Sequence, residues 1–579
     1  MTAGREEVAV GNVSEVVAAR LREYGVHRVY GVPGTAVDPL VGALCGGPDA
    51  PEFVQARGAE SAALMACAEA KLTGRPGCCL APPGPGTLRL LGGLYDAAAD
   101  RAPVLALVGA DPSARHVGGH AVRHLAEVSV YCEEVSGPEL MDDALHRAVR
   151  AALTDRGVAS LVVPRHVLAA PAAKTPPAAR PVPPPPPPPA EEDLRRAADV
   201  LGGAGKPVVL VGNAGRPASR QVADLARRLD AGAVTTALAR DALPDDLPYL
   251  AGVAGPLGSE AAATLLRECD TLLLAGAEDL DPALLPDPGR CRIVSVDREP
   301  DDCPLDSAAP AVRVTGDVTA CLEAIAPLLR RATDRAWRTR VERLVGAWRD
   351  EGAAKSRRYF GTSVNPRSVV AELSDRLPDR AVVVTDSGTA LDWWTRHLRL
   401  RAGMRSLLSG HLGLPGAAVP YAVAARFAAP DRPVIALVGD GALQGGGLNE
   451  LLTVRRHLDR LAGLPPLVFC VFNNGDLNRL TWQRRAAAGD PLIPLSAEVP
   501  ALPYAECARL AGLPAVRCDR PRYVGSVWAD VLAGRGPLLL EFVVDGETPP
   551  DWAAGVGTVD GSGPAPLRTP LTKFLRVSG

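Results

Sequence analysis

Asp440 and Asn474 are the residues whose types and spacing point most directly to chemistry. Asp440 stands in "ALVGDGALQGGGLNELLTV" and Asn474, thirty-four positions later, in "LVFCVFNNGD". Each closes an apolar run that reads as a buried strand. Gly439 and Gly441 allow a tight turn that aims the Asp440 carboxylate out of the strand end. A hard cation such as Mg2+ takes oxygen ligands, commonly one or two protein carboxylates plus phosphate oxygens. Asp440, the Asn474 amide and a following backbone carbonyl would supply such a set. The helical pattern after Ala442 offers free N–H groups to an anion. A single GDG turn would be weak evidence. GDG and NN closing two strands are more specific, with two ordinary strand-end turns as the bland alternative.

The elements that must hold these residues are legible around them. "RVYGVPG", "GCCLAPPGPG" and "PVLALVG" read as buried strands running into glycine turns. So do "PVVLVGNAG", "TLLLAGAEDL" and "RIVSVD", and then "AVVVTDSG", "PVIALVGDG", "LVFCVFNNGD" and "PLLLEFVVD". Short apolar runs separated by amphipathic helical patterns indicate parallel sheets covered on both faces. The expected fold is α/β, with three doubly wound parallel-sheet domains. Ligands in such folds sit beyond the carboxyl ends of the strands. Seven prolines, Pro183 to Pro189, cannot donate N–H bonds and favour an extended spacer. The expected domains are 1–175, a linker 176–191, a central domain 192–330, a helical linker 331–364, and 365–579.

Composition bounds the function. A net charge of −3 gives no basic field for nucleic acid. Hydrophobic residues at 47% and charged ones at 22% fit a soluble globular chain. No apolar run is long enough to span a membrane, and no signal peptide is evident, so cytoplasm is the expected compartment. The twelve cysteines are scattered, without paired CxxC motifs, which argues against zinc and for reduced buried thiols.

The pairing of GDG with NN resembles the thiamine diphosphate signature of the pyruvate oxidase and acetolactate synthase superfamily. "YGVPGTAVDPLVGAL", "AKLTGRPGCCLAPPGPGTLRLLGGLYDAAADRAPVLALVG" and "GGH" are similar to its pyrimidine-binding domain. "DSGTALDWWTRHLRL" through "PVIALVGDG" resembles its diphosphate-binding domain. The resemblance implies that Asp440 and Asn474 bind Mg2+, with the Asp476 carbonyl as third protein ligand. It implies that Gly441, Ala442 and the stretch Asn474, Gly475, Asp476, Leu477 and Asn478 surround the diphosphate. Gly413, Leu414 and Pro415 would sit against the aminopyrimidine. In the family the cofactor lies between the first domain of one subunit and the third of another, so a homodimer or homotetramer is implied. The implied activity is decarboxylation of a 2-oxo acid with carboligation or oxidation.

Two departures bear on that activity. A gapless match of "ALMACAEAKLTG" to the family's "AFMADGYARVTG" puts Ala59 where an acid normally activates the aminopyrimidine, and Glu60 one position late. Successive helical residues point about 100° apart, so Glu60 would need a shifted helix start to substitute. Its alternative is a solvated or helix-capping glutamate. The glyoxylate carboligases of that family also have an apolar residue followed by Glu here, and are active. The second departure is Pro415, where the family has a bulky residue whose N–H serves the pyrimidine; proline has none. His120 and His411 are the candidate compensating catalytic residues beside Glu60, with His124 and Arg123 near the first. The central "GVAGPLG", Gly252 to Gly258, resembles a flavin loop. Asp297 ends a strand where it could meet a ribose, with Glu278 and Asp279 on the neighbouring turn. "GxGxxG" is absent, so FAD and no FAD both stand here. A non-catalytic homologue and a flavin-only enzyme are the alternative functions.

Overall fold

The computed structural model describes residues 11–47, 49–110, 120–172, 180–287, 289–302, 311–358, 362–488, 493 and 495–553. The expected domain borders near 175 and the C-terminal tail beyond 553 lie partly or wholly outside them. The chain builds three six-stranded sheets, and every strand pair in them is parallel. The first holds β1 (Arg28–Gly31), β2 (Glu52–Gln55), β3 (Gly77–Ala81), β4 (Val104–Ala110), β5 (Ser129–Glu134) and β6 (Val158–Pro164). The central sheet holds β7 (Pro207–Val211), β8 (Gly232–Thr235), β9 (Leu250–Val253), β10 (Thr271–Ala275), β11 (Arg292–Asp297) and β12 (Ala311–Thr315). The third holds β13 (Val382–Thr385), β14 (Arg405–Leu407), β15 (Val434–Gly439), β16 (Leu467–Asn473), β17 (Ala515–Cys518) and β18 (Pro537–Val543).

Burial explains the strand sequences. Every residue of β3, β4, β6, β7 and β10 is buried. Helices cover both faces, so these strands are apolar throughout instead of alternating. The first and third sheets share one order, β2-β1-β3-β4-β6-β5 and β14-β13-β15-β16-β18-β17. The central order, β12-β11-β10-β7-β8-β9, is the dinucleotide-fold arrangement read from its other edge. In the third sheet the order reverses between β13 and β15. The crevice that follows from that reversal lies beyond Thr385 and Gly439.

One hydrophobic core runs from the first sheet into the third. Its centre is the helix Ala59–Thr73, which is buried nearly all round and packs on the helices Pro85–Ala99 and Ala418–Ala428. Small residues make the approach close. A Cβ on Gly93 would lie 2.7 Å from both the Ala63 Cβ and the Glu60 carbonyl oxygen. The 21-residue helix Ala336–Ser356 connects the central domain to the third. Its Trp337 Nε1 donates to the Pro207 carbonyl at 2.9 Å, which fixes it on the central sheet. Among the described residues no helix is long and apolar enough to cross a membrane.

Candidate functional site

Asp440 begins the helical segment after β15. Its Oδ1 accepts from Gly441 N at 2.8 Å. Its Oδ2 accepts from Asn474 N at 2.9 Å and Gly475 N at 2.7 Å. The two strand ends singled out in the sequence are therefore joined by one carboxylate. Asp440 is only 2% exposed, and no cationic side chain pairs with it among the described residues. Burial raises its pKa, against the three N–H bonds that lower it. A buried anion without a counter-charge is costly. That cost is what a bound divalent cation would remove.

The other residues of the turn are arranged around it. Asn474 Oδ1 accepts from Asp476 N at 3.0 Å. The Asp476 carboxylate accepts from Thr481 Oγ1 and Asn478 Nδ2, and Asn478 Nδ2 also donates to the Gly546 carbonyl at 2.7 Å. The Asp476 side chain is thus spent on its own helix start. Among the described residues no trio of His, Cys, Asp or Glu is placed to hold a metal. A cation here relies on one carboxylate, one amide oxygen and oxygens brought by its ligand. A Cβ on Gly441 would come within 2.5 Å of Leu477 Cδ2, so the exposed Leu477 side chain covers this glycine closely. Cβ atoms on Gly388, Gly413, Gly439 and Gly475 would meet nothing within 4 Å. An open, glycine-lined cleft follows the carboxyl ends of β13, β15 and β16. Its donor chemistry fits a diphosphate with Mg2+.

The helix beyond Asp440 is not regular. Asp440–Ala442 is α-helical, Leu443–Gly447 is a π-turn, Leu448–Glu450 is a 310 turn, and Leu451–Arg456 is α-helical again. A π-turn takes up one extra residue and is common at functional sites. Gly416, at φ +89°, approaches this turn closely: a Cβ on it would lie 2.8 Å from Gly446 Cα. The loop carrying Gly413, Leu414 and Pro415 therefore rests on the π-turn. Asp386, buried after β13, ties the same loop down. It accepts from Ser387 N, Gly416 N and Ala418 N, and burial pushes its pKa up to about 6. The sequence signal for Asp386 was available in "VTDSG", a strand closed by an acid and a glycine.

His411 is partly exposed, yet both its ring nitrogens are engaged. Its Nδ1 lies 2.9 Å from Asp100 Oδ1 and its Nε2 lies 3.3 Å from the Asp279 carbonyl. Both neighbours are acceptors, so the doubly protonated ring suits the site. The bond to Asp100 raises the His411 pKa against burial. Burial would raise Asp100, but Lys71 and His411 overrule it and hold that carboxyl well below its usual range. Lys71 Nζ sits 2.5 Å from Asp100 Oδ2, 2.9 Å from the Leu408 carbonyl and 2.7 Å from Tyr421 Oη. Tyr421 and Ser409 donate to Asp96, and Leu414 N donates to Ser409 Oγ at 2.8 Å. This first-to-third-domain network orients the loop that ends at Pro415. Sequence reading missed Lys71, Asp96, Asp100 and Tyr421, which carry no motif.

The His411–Asp100 pair sets a pH expectation. The raised His411 contributes fully below its ordinary value of about 6.5 and is lost as pH rises through its folded value. The lowered Asp100 contributes above about 4 and is lost only in strong acid. The melting-temperature gap between wild type and His411→Gln should therefore be widest near pH 5–6 and shrink toward pH 9. A gap independent of pH would show that no charge is involved.

The other candidates are less integrated. Ala59 is buried at the start of its helix. Glu60 turns its carboxylate over Gly92, where an added Cβ would be 2.1 Å away, and makes no hydrogen bond among the described residues. Burial raises its pKa. His120 and Arg123 are exposed and His124 is half-buried, and no hydrogen bond links any of them to His411 or Glu60. An acid does reach this helix start, from elsewhere. Glu450, fully buried, accepts from Arg57 N at 2.9 Å and Gly58 N at 3.2 Å. The opposite end of the helix, at Lys71, touches the Leu408–Tyr421 segment. Its fifteen residues span about 20 Å. Within one chain this helix thus meets the third domain at both ends, through Glu450 at its start and through Leu408 and Tyr421 at Lys71.

The central domain does not fit a flavin dinucleotide at its order reversal. Asp279 Oδ1 accepts from Asn213 N at 2.9 Å, where a phosphate would bind, and its Oδ2 takes the Thr236 hydroxyl. Added Cβ atoms on Gly212 and Gly276 would strike the facing turn at 2.3 and 2.2 Å. Glu278 is paired with Arg101 and Arg156. In "GVAGPLG", Gly252 packs on Trp348 and Gly258 on the Val253 carbonyl, so both glycines serve turn packing. Asp297 accepts from Ser295, and burial raises it to about 7.

Family models match all three domains in order: the thiamine pyrophosphate enzyme N-terminal TPP binding domain at residues 11–129, the central domain at 194–325, and the C-terminal TPP binding domain at 386–542. The chain belongs to the thiamine pyrophosphate enzyme family. A putative thiamine pyrophosphate-containing protein, YdaP, of Bacillus subtilis is 29% identical over 547 residues, covering 91% of each chain. The acetolactate synthase isozyme 2 large subunit of Escherichia coli is 30% identical over 77% of this chain and 81% of its own. The pyruvate oxidase of Lactiplantibacillus plantarum is 24% identical over 91% of this chain and 88% of its own. The thiamine pyrophosphate enzyme models assign cofactor binding to the first and third domains, the two that share a strand order and a core.

Proposed function

We propose that this protein binds thiamine diphosphate with Mg2+ and acts on a 2-oxo acid by decarboxylation and carboligation. The observation that carries the reading is the Asp440 carboxylate, buried, held by three N–H groups, faced by no cation and set at an open glycine-lined cleft. The relative named pyruvate oxidase supports a 2-oxo acid as substrate class. The closed order reversal of the central domain favours carboligation over a flavin-linked oxidation.

Bound thiamine diphosphate would supply the nucleophilic carbon and the electron sink that loss of CO2 requires. Asp440 and Asn474 would hold the Mg2+, with the Asp476 carbonyl. Asp386 and the Lys71 network fix the Gly413–Pro415 loop that would face the aminopyrimidine. His411, with both ring nitrogens engaged, positions this loop and is not free to shuttle a proton. The reading includes a homo-oligomer in which the first domain of one protomer completes the site of another.

A second reading, a homologue repurposed away from catalysis, is favoured by Ala59 and Pro415 together. One experiment separates the two. Calorimetric titration of the purified protein with thiamine diphosphate and Mg2+ should show one saturable site per chain. NMR should then show slow deuterium exchange of the bound cofactor's C2 proton, accelerated by Ala59→Glu about 10²–10⁴-fold, the usual range for acid–base assistance. No binding would end the cofactor reading. Binding with exchange indifferent to the new acid would favour the repurposed homologue.

A further inference from the structure

A cavity lies apart from the cofactor cleft. It is a hollow of about 540 Å3 between the helix Ala336–Ser356, the helix Pro366–Arg376 and the end of the helix Thr389–His397. Six arginines line it: Arg240, Arg349, Arg357, Arg358, Arg396 and Arg399. Only three carboxylates share the wall, Asp245, Glu372 and Asp375. Asp245 is consumed by Arg240 at 2.8 Å, and Glu372 is paired with Arg376, outside the wall.

Among the described residues the remaining cations make no hydrogen bond or ion pair to a carboxylate. Arg349 Nη2 reaches only the carbonyls of Leu247 and Leu250, and Arg396 only those of Pro256 and Leu257. Burial pulls both guanidinium groups below their ordinary value, the mark of desolvated charge without full compensation. Arg357, Arg358 and Arg399 are exposed at the mouth and make no side-chain hydrogen bond or ion pair among the described residues. Arg240 Nε is buried without a partner. Like charges gathered in this way make a positive field that a bound anion would complement. The volume lies within the range of small-molecule sites, about 300–1,000 Å3, and far exceeds a lone phosphate. Trp348, half-buried in the wall, adds an aromatic surface.

We propose that this cavity binds a small diphosphate-bearing anion, held by forked arginine contacts to its phosphoryl oxygens. It is separate from the cofactor cleft, with the nine-residue helix Thr389–His397 between them. Gly388, just before that helix, lies on the cleft, and Arg396 and Arg399, at its far end, lie on the cavity.

The test is calorimetric titration of the full chain without added Mg2+, using ADP in one arm and inorganic pyrophosphate in the other. Each is run on wild type, on Arg357→Ala/Arg399→Ala and on Asp440→Ala. Both arginines are exposed and unpaired, so the double variant should keep the wild-type melting temperature. Saturable binding weakened about tenfold or more in the double variant and unchanged in Asp440→Ala supports the site. ADP binding alone assigns the organic part to the Trp348 wall, while binding of both assigns recognition to the diphosphate. Binding of neither, equal binding by the double variant, or loss only in Asp440→Ala would overturn the proposal. The last outcome would place the anion in the cofactor cleft and leave that reading standing.

Discussion

Asp440→Ala should abolish measurable binding of thiamine diphosphate and Mg2+ while leaving the chain folded. On the proposed reading this carboxylate would be the charged oxygen ligand, and the neighbouring Asp476 carboxylate is held by Thr481 and Asn478. The substitution also leaves the N–H groups of Gly441, Asn474 and Gly475 without their acceptor. Each such loss costs about 1–3 kcal/mol where water cannot enter. These donors border an open cleft, so water can satisfy part of that demand and the stability loss should fall toward the low end. Calorimetry should show no cofactor heat, and a thermal scan should show a modest drop. Retained binding at wild-type affinity would remove Asp440 from the metal site.

Lys71→Met should produce a large stability loss. Asp96 and Asp100 have fully buried side chains, and Lys71 is the cation nearest both. Breaking a buried ion pair by removing one partner costs about 3–5 kcal/mol, because the surviving charge stays buried. The loss should appear as a lower urea midpoint. Adding Asp100→Asn should recover part of it, since the orphaned charge is then gone. Cofactor affinity should fall too, because Leu408, Ser409 and Leu414 are all held through this network. A Lys71→Met protein as stable as wild type would show that the two carboxyls are neutral or solvated.

Most strands that lie inside a sheet were legible, Gly232–Thr235 being an exception, because burial on both faces leaves mainly apolar residues. The ten runs read from sequence all fall on strands, from Arg28–Gly31 to Pro537–Val543. Edge strands escaped for the converse reason. Glu52–Gln55, Ser129–Glu134 and Arg405–Leu407 are short and carry polar or charged residues toward solvent or a neighbouring domain. Val158–Pro164 is fully buried, yet it was hidden among similar alanine- and valine-rich stretches. At the site, Asp440 and Asn474 were readable because two strand ends repeat the same logic, an apolar run closed by a polar residue. Lys71, Asp100 and Glu450 were not, since their meaning comes from partners hundreds of positions away. His411 was found as a residue, but its Asp100 bond gives it a task that spacing could not reveal.

The π-turn at Leu443–Gly447 acts as a phase corrector. It inserts one residue between the carboxylate that would grip the metal and the glutamate that crowns the neighbouring domain's longest buried helix. Deleting a glycine from Gly445–Gly447 would remove the extra residue of the π-turn and turn the residues just after it by about 100°. Glu450 would then point away from Gly58, and the two cofactor-binding domains would lose a shared fastening. The register of one short glycine run therefore sets one of the fastenings between two domains that also share a core.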